Sequence, residues 1–310
     1  MSGESFAERD GLIWFDGELV PWRDAKVHVL THTLHYGLGV FEGVRAYRTD
    51  QGPVIFRLHD HTDRLFRSAH ILNMKIPFSQ EQLNEAQCEV IRTNHLEEGY
   101  LRPMCFYGSE AMGLRAEGLK THVIIAAWPW PNYMTPEARV EGIKVRTSSY
   151  TRHHVNITMC KAKANGNYIN SMLALQEALQ SGCEEALLLD NEGYVAEGSG
   201  ENIFIVRDGQ LHTPELTSCL DGITRSSIFA FAEELNLKII ERRITRDEVY
   251  IADEAFFTGT AAEVLPINSL DGRSIGQGVR GPITEKLQSM YFDQVMGRRS
   301  EHEDWSTLVN

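Results

Sequence analysis

Apolar and polar positions alternate at two periods along the chain, and each switch between them marks an element. Ile13-Trp14-Phe15 and Glu18-Leu19-Val20 flank Asp16-Gly17. Asp-Gly suits a two-residue turn, so the segment reads as a β-hairpin. Val54-Ile55-Phe56 reads as a further strand. A helix is predicted from about Asp60 to Asn73, with Leu65, Ala69 and Leu72 on one face, and a second from roughly Gln80 to His95. Leu101 to Tyr107 and His122 to Ala127 have the length and content of buried strands.

The pattern breaks at Trp128-Pro129-Trp130-Pro131-Asn132-Tyr133-Met134-Thr135-Pro136. Its prolines cannot continue a helix or a central strand. Residues 128–138 are therefore expected to link a small N-terminal α+β domain, 1–127, to a larger C-terminal domain, 139–310. Beyond the linker, Lys144 to Tyr150 reads as a strand, and Tyr168 to Gln180 as a helix stopped by Gly182. Ala186 to Leu189 and Asn202 to Val206 read as strands. Ile223 to Asn236 fits a helix with Ile228, Phe231 and Leu235 facing the core. Thr245 and Glu248 have the spacing of a capping box. Ala255 to Thr258 reads as a strand ending at Gly259-Thr260-Ala261-Ala262, and Ile283 to Met296 as a last amphipathic helix. Strands and helices mix without strict βαβ alternation, which predicts an α+β fold.

Composition narrows the functional classes. With 310 residues, 42% of them hydrophobic and 24% charged, the chain can bury a core and support a cleft. A net charge of −13 disfavours non-specific contact with nucleic acid or anionic membranes, although a pocket can be locally positive. No apolar run approaches the roughly 20 residues of a membrane helix, and the first residues hold no apolar signal core. Cys88, Cys105, Cys160, Cys183 and Cys219 are scattered and form no CxxC pair. A reduced, cytoplasmic protein is expected.

Several chemistries are weak matches. Gly37-Leu38-Gly39-Val40-Phe41-Glu42-Gly43 places its last glycine one position too late for a dinucleotide fingerprint, and no good strand precedes it. His28, His32 and His35, with His59 and His61, lack the HExxH spacing of a metal site and read better as hydrogen-bonded structural residues; no metal is expected. Gly198-Ser199-Gly200 is no nucleophile elbow. One ordered set is more specific. It runs through Lys161-Ala162-Lys163-Ala164-Asn165-Gly166-Asn167-Tyr168, Glu197-Gly198-Ser199-Gly200-Glu201-Asn202, Gly222-Ile223-Thr224-Arg225 and Gly259-Thr260-Ala261-Ala262-Glu263. A lysine, an acid and two threonine-bearing turns are what a pyridoxal-phosphate site requires.

This set resembles the class IV, or fold type IV, pyridoxal-phosphate aminotransferases, and within them the branched-chain amino-acid aminotransferases. Phe15-Asp16-Gly17-Glu18, His35-Tyr36-Gly37, Val40-Phe41-Glu42-Gly43-Val44-Arg45, Arg64-Leu65, Tyr100-Leu101-Arg102-Pro103 and Met112-Gly113 extend the likeness from about residue 11 to about residue 296. Asn165 departs from it, standing where a small residue is common. The resemblance implies a two-domain fold with the cofactor cleft between the domains. It implies pyridoxal 5'-phosphate as cofactor, held as a Schiff base by Lys163, with Glu197 at the pyridine nitrogen, Tyr168 near the phenolic oxygen and Leu220 against the ring. Ile223, Thr224, Thr260 and Arg64 are its expected phosphate contacts. The start of a helix supplies free N–H groups for an anion, and arginine a planar fork.

The expected reaction is a two-stage transfer from leucine, isoleucine or valine to 2-oxoglutarate, giving 2-oxo acids and glutamate. The freed lysine moves the Cα proton. The expected substrate residues are Tyr36, Phe41, Arg45, Tyr100, Tyr133, Gly259 and Ala261, with the aromatic ones suited to aliphatic side chains. Arg102 is the expected partner of glutamate's distal carboxylate. The family builds its site with a neighbouring subunit, so a homodimer or larger homo-oligomer is implied. A D-amino-acid aminotransferase and an aminodeoxychorismate lyase keep the same lysine and acid; the Tyr-Leu-Arg-Pro segment argues against an amine transaminase, and keeping both Lys163 and Glu197 argues against a catalytically silent cofactor-binding protein. Lys161 stays open as a competitor, since residues two apart on a strand share a face.

Overall fold

The computed structural model describes residues 5–130 and 135–309. They fall into two compact units, one drawn from Met1–Pro131, Ala162–Gly166 and Val295–Asn310, the other from Asn132–Lys161 and Asn167–Gln294. Residues 131–134 of the predicted linker, with the candidate Tyr133, lie outside the described residues.

The first unit is an antiparallel sheet backed by helices. Its strands are β1 (Leu12–Phe15), β2 (Glu18–Pro21), β3 (Gly39–Phe41), β4 (Val44–Thr49), β5 (Gly52–Phe56), β6 (Gly99–Tyr107) and β7 (Thr121–Trp128). A C-terminal strand, Ser306–Leu308, adds to the β5 edge. The order from that edge is β5, β4, β6, β7, β1, β2, with β3 also on β6. Asp16 and Gly17 both take positive φ, as the predicted hairpin turn requires. Its α-helices include α1 (His32–Tyr36), α2 (Leu58–Ile71) and α3 (Gln80–Thr93). Ser79 and Gln82 close a capping box at the start of α3. Val44, Ala46, Leu65, Leu83, Ile91, Leu101 and Ile125 share one buried core.

The second unit is a mixed sheet. Its strands are β8 (Ile143–Thr147), β9 (Glu185–Leu189), β10 (Val195–Gly198), β11 (Asn202–Arg207), β12 (Gln210–Thr213), β13 (Ile239–Glu241), β14 (Glu254–Gly259), β15 (Glu263–Leu270) and β16 (Arg273–Ser274). The order is β10, β9, β8, β15, β14, β11, β12, β13, with β16 on β15. β8 runs parallel to both β9 and β15, while β14 is antiparallel to β11 and β15. The helices are α4 (Pro136–Glu141), α5 (Tyr168–Gln180), α6 (Ile223–Glu234), α7 (Arg246–Tyr250) and α8 (Pro282–Val295). The predicted α+β class is the one observed.

Some boundaries differ from the sequence reading for identifiable reasons. The strand expected from Lys144 to Tyr150 stops at Thr147. Ser148 Oγ and the Ser149 amide instead donate to Glu177, and such short polar contacts compete with a ladder. Pro136 starts a helix, where its missing N–H costs nothing. The predicted capping box at Thr245 and Glu248 is present. Among the described residues, no helix is long and apolar enough to cross a membrane.

Candidate active site

In the first unit, strand alternation sorts the candidates. Val44, Ala46 and Leu101 point into the core, which leaves Arg45, Tyr100 and Arg102 on the opposite face of the sheet. Arg45 pairs with Tyr100 across β4 and β6, and Tyr100 with Trp128 across β6 and β7. The Tyr100 ring lies 5.4 Å from that of Trp128 and 5.0 Å from that of Trp130. The Arg102 guanidinium sits 4.8 Å from the Phe41 ring centre and 5.5 Å from that of Tyr100. Its buried Nε finds no hydrogen-bond partner among the described residues. Tyr36 is exposed, and its hydroxyl accepts from the Gly113 amide at 3.2 Å.

Lys163 belongs to this unit. The Phe41 amide donates to its carbonyl, and its own amide donates to Ser68 Oγ at 3.0 Å. Its Nζ lies 5.0 Å from the Phe41 ring centre. Arg64 does not stand alone, because its Nε and a terminal nitrogen bind the two oxygens of buried Glu42 at 2.7 and 2.9 Å. His61 Nδ1 meets the same carboxylate at 2.7 Å. Burial alone would raise the Glu42 carboxyl, but the charge and hydrogen bonds of Arg64 and His61 hold it well below the usual carboxylate range. Burial lowers the His61 pKa against the pull of Glu42. Glu42, just past the end of β3, thus fixes the arginine fork presented by α2.

In the second unit, an arginine and two hydrogen-bond donors meet Glu197 of β10. Arg152 reaches Oε1 at 2.7 Å, while Asn202 Nδ2 and the Leu220 amide reach Oε2 at 3.3 and 3.2 Å. It is the Leu220 backbone that meets Glu197. Arg152 also donates to Ser171 Oγ and feels the Tyr168 phenol. Ile223 and Thr224, both buried, open α6 after Gly222, which has no side chain to cap that end. A side chain at position 222 would meet Asn202 Oδ1 and force that side chain off its bonds to Glu197 and the Leu220 carbonyl. Gly259 closes β14, with Thr260 and Ala261 following, each partly exposed.

Lys161 falls in this unit, and residues 161–163 are not a strand. The shared-face argument therefore lapses. The Lys161 ammonium donates to the carbonyls of Leu216 and Cys219, the latter at 2.9 Å. The scattered histidines are likewise engaged: His32 Nε2 with the Gly113 carbonyl, His35 Nε2 with that of Val29, and His59 with Asn84. Among the described residues, no group of three His, Cys, Asp or Glu side chains is placed to hold a metal.

Sequence reasoning missed Glu42, His61, Ser68, Arg152 and Asn202 as members of these clusters. A signal existed for the first two: Glu42 is a lone charge inside an apolar run, and His61 stands three residues before Arg64 on a predicted helix. Arg152 precedes two histidines in a segment with no periodicity, so nothing in the sequence marked it.

The chain has close relatives among known proteins. The pattern of the amino-transferase class IV family matches residues 39–270, and the chain belongs to that family. It is 68% identical over 305 residues to a branched-chain-amino-acid aminotransferase of Pseudomonas aeruginosa, covering 98% of this chain and 99% of that one. A crystal structure of the T.th. branched-chain amino acid aminotransferase with pyridoxamine 5'-phosphate superimposes with a TM-score of 0.95 at 48% identity, covering 97% and 99% of the two chains. The same T.th. enzyme complexed with N-(5'-phosphopyridoxyl)-L-glutamate gives 0.94 at 48%, with the same coverage. The architecture is therefore fold type IV, as expected.

The donor sets suit a phosphorylated pyridine. The start of α6 offers backbone N–H groups after a glycine cap that has no side chain to occupy them, which is chemistry for a phosphate. Glu197 is a buried acid positioned by a cation and two neutral donors, suited to a protonated ring nitrogen. Lys163 offers a primary amine held by its backbone on both sides.

Proposed function

We propose that this protein is a branched-chain amino-acid aminotransferase. It moves the amino group of L-leucine, L-isoleucine or L-valine to 2-oxoglutarate, giving branched-chain 2-oxo acids and L-glutamate in two half-reactions. The observation that carries the reading is the Arg102 guanidinium set against Phe41 and Tyr100, with a buried Nε left for a ligand. The near full-length likeness to named branched-chain enzymes supports it. Aromatic walls accept an aliphatic side chain, while the guanidinium accepts the distal carboxylate of glutamate. Both amino donors could then use one site.

Pyridoxal 5'-phosphate, when bound, supplies the carbonyl that takes the amino group and a ring that accepts the electrons of the Cα–H bond. Lys163 and Arg64 are its proposed ligands in the first unit, and Tyr168, Glu197, Leu220, Ile223, Thr224 and Thr260 in the second. Lys163 anchors the cofactor and then moves the proton at substrate Cα. Glu197, steadied by Arg152, Asn202 and the Leu220 amide, offers its carboxylate to the ring nitrogen. Tyr36, Arg45, Gly259, Ala261 and Tyr133 are proposed as further substrate contacts. A homodimer or larger homo-oligomer in the cytoplasm, with small-molecule amino acids and 2-oxo acids as its ligands, completes the reading.

A panel of L- and D-amino acids with 2-oxoglutarate, read by oxo-acid formation, tests it. Leucine, isoleucine and valine of the L series should lead the panel. A preference for D-amino acids, or no transfer from any aliphatic donor, would refute the reading.

A further inference from the structure

Among the buried glutamates of the second unit that the reaction above does not use, two lie beside the turn after Glu197. Glu185 on β9 and Glu201, just before β11, are 1% and 7% exposed. Neither forms an ion pair among the described residues. Glu185 Oε1 accepts from the amides of Ala186 at 2.7 Å and Ser199 at 3.2 Å. Glu201 Oε2 accepts from the Gly200 amide at 3.0 Å. The two carboxyl groups accept from consecutive amides of one turn, and the buried Glu185 Oε2 has no hydrogen-bond partner among the described residues.

Two carboxylates in one buried site cannot both hold their charge without a cation. One shared proton resolves the conflict, because a protonated carboxyl donates where a carboxylate can only accept. Burial pushes Glu201 well above the usual carboxylate range, and the neighbouring charges of Glu185 and Glu197 push it further, against the Gly200 amide. Burial raises Glu185 as well, so the one proton belongs to the pair.

Location gives the pair its meaning. The amides it holds, Ser199 and Gly200, belong to the turn that follows Glu197, and the Gly198 amide donates to the Glu201 carbonyl at 2.7 Å. A Cβ at Gly198 would lie 2.9 Å from Glu201 Oε2, and one at Gly259 would lie 3.4 Å from Glu201 Cγ. The Glu201 side chain thus packs beneath both the end of β10 and the end of β14. We infer that Glu185 and Glu201 form a proton-sharing positioning pair, which fixes the turn after Glu197 and the Gly259–Thr260 strand end for cofactor binding. The inference rests on the proposed cofactor site, but the shared proton belongs to the protein alone.

Two substitutions separate the possibilities. In Glu201→Gln the amide N–H still donates to Glu185; in Glu201→Leu the buried acceptor is orphaned. Infrared difference spectra of the cofactor-free protein should show the carbonyl stretch of a buried carboxylic acid at neutral pH, and Glu201→Gln should lose it. Titration with pyridoxal 5'-phosphate should give an affinity within about 3-fold of wild type for Glu201→Gln, and about 10-fold or more weaker for Glu201→Leu. Absence of the carboxylic-acid band from the wild type, or full affinity in Glu201→Leu, would overturn the pair. If Glu201→Leu does not fold, the wild-type band and its loss in Glu201→Gln still decide the question. Failure of the wild type to bind the cofactor would instead count against the proposed function.

Discussion

Glu42 in the first unit and Glu201 in the second are both buried acids, yet they are driven in opposite directions. Glu42 has the Arg64 fork and His61 against it, and it stays a carboxylate. Glu201 has an amide and another acid, and burial and the neighbouring charges push it well above the usual carboxylate range. Burial raises both, so the neighbours alone decide the outcome. The first unit orients a cation by ionic pairing. The second orients backbone donors through a neutral hydrogen bond, and keeps the buried ion pair of Arg152 with Glu197 for the acid proposed to meet the ring.

Glu42→Gln would break this contrast most severely. It leaves Arg64 buried against a neutral amide, and removing one partner of a buried pair costs about 3–5 kcal/mol. Denaturant unfolding should register that loss. The pH dependence follows from the sign of the shifts. Glu42 has a folded pKa below its ordinary 4.5, so its contribution is full above that pH and fades as pH falls towards the folded value. His61, lowered from 6.5, also favours the folded state less as acid is added, because the unfolded chain then binds the extra proton. Stability should therefore fall on acidification, with Glu42→Gln showing the shallower dependence below pH 4.5.

Glu197→Gln tests the other side. It should slow Cα proton transfer about 100-fold in single turnover while weakening cofactor binding far less. Unchanged turnover would deny the acid its electronic role. Arg102→Ala is the smallest of the three. It should raise the KM for glutamate roughly 10-fold more than that for leucine, because only glutamate brings a second carboxylate. The reverse ranking would place the distal carboxylate elsewhere.

Local rules made much of this fold legible. The Asp16-Gly17 hairpin, the helix stopped at Gly182 and the capping box at Thr245 each depend on residues a few positions apart. The motif set from Lys163 to Thr260 identified the family by its order. What stayed hidden depends on distant pairing. Glu42 meets a helix some 20 residues on, and Arg152 meets Glu197 across a strand and a helix. β3 and β4 were missed because Glu42-Gly43 interrupts them and because β4 turns Arg45 and Tyr47, not solvent-facing polar residues, away from the core.

The central claim concerns two lysines two positions apart. Lys161 spends its ammonium on two carbonyls, whereas Lys163 presents its Nζ over Phe41. Borohydride reduction of the holoenzyme, followed by peptide mass spectrometry, records which amine carries the cofactor. The account predicts the phosphopyridoxyl label on Lys163, with Lys161 unmodified; a label on Lys161 would contradict it.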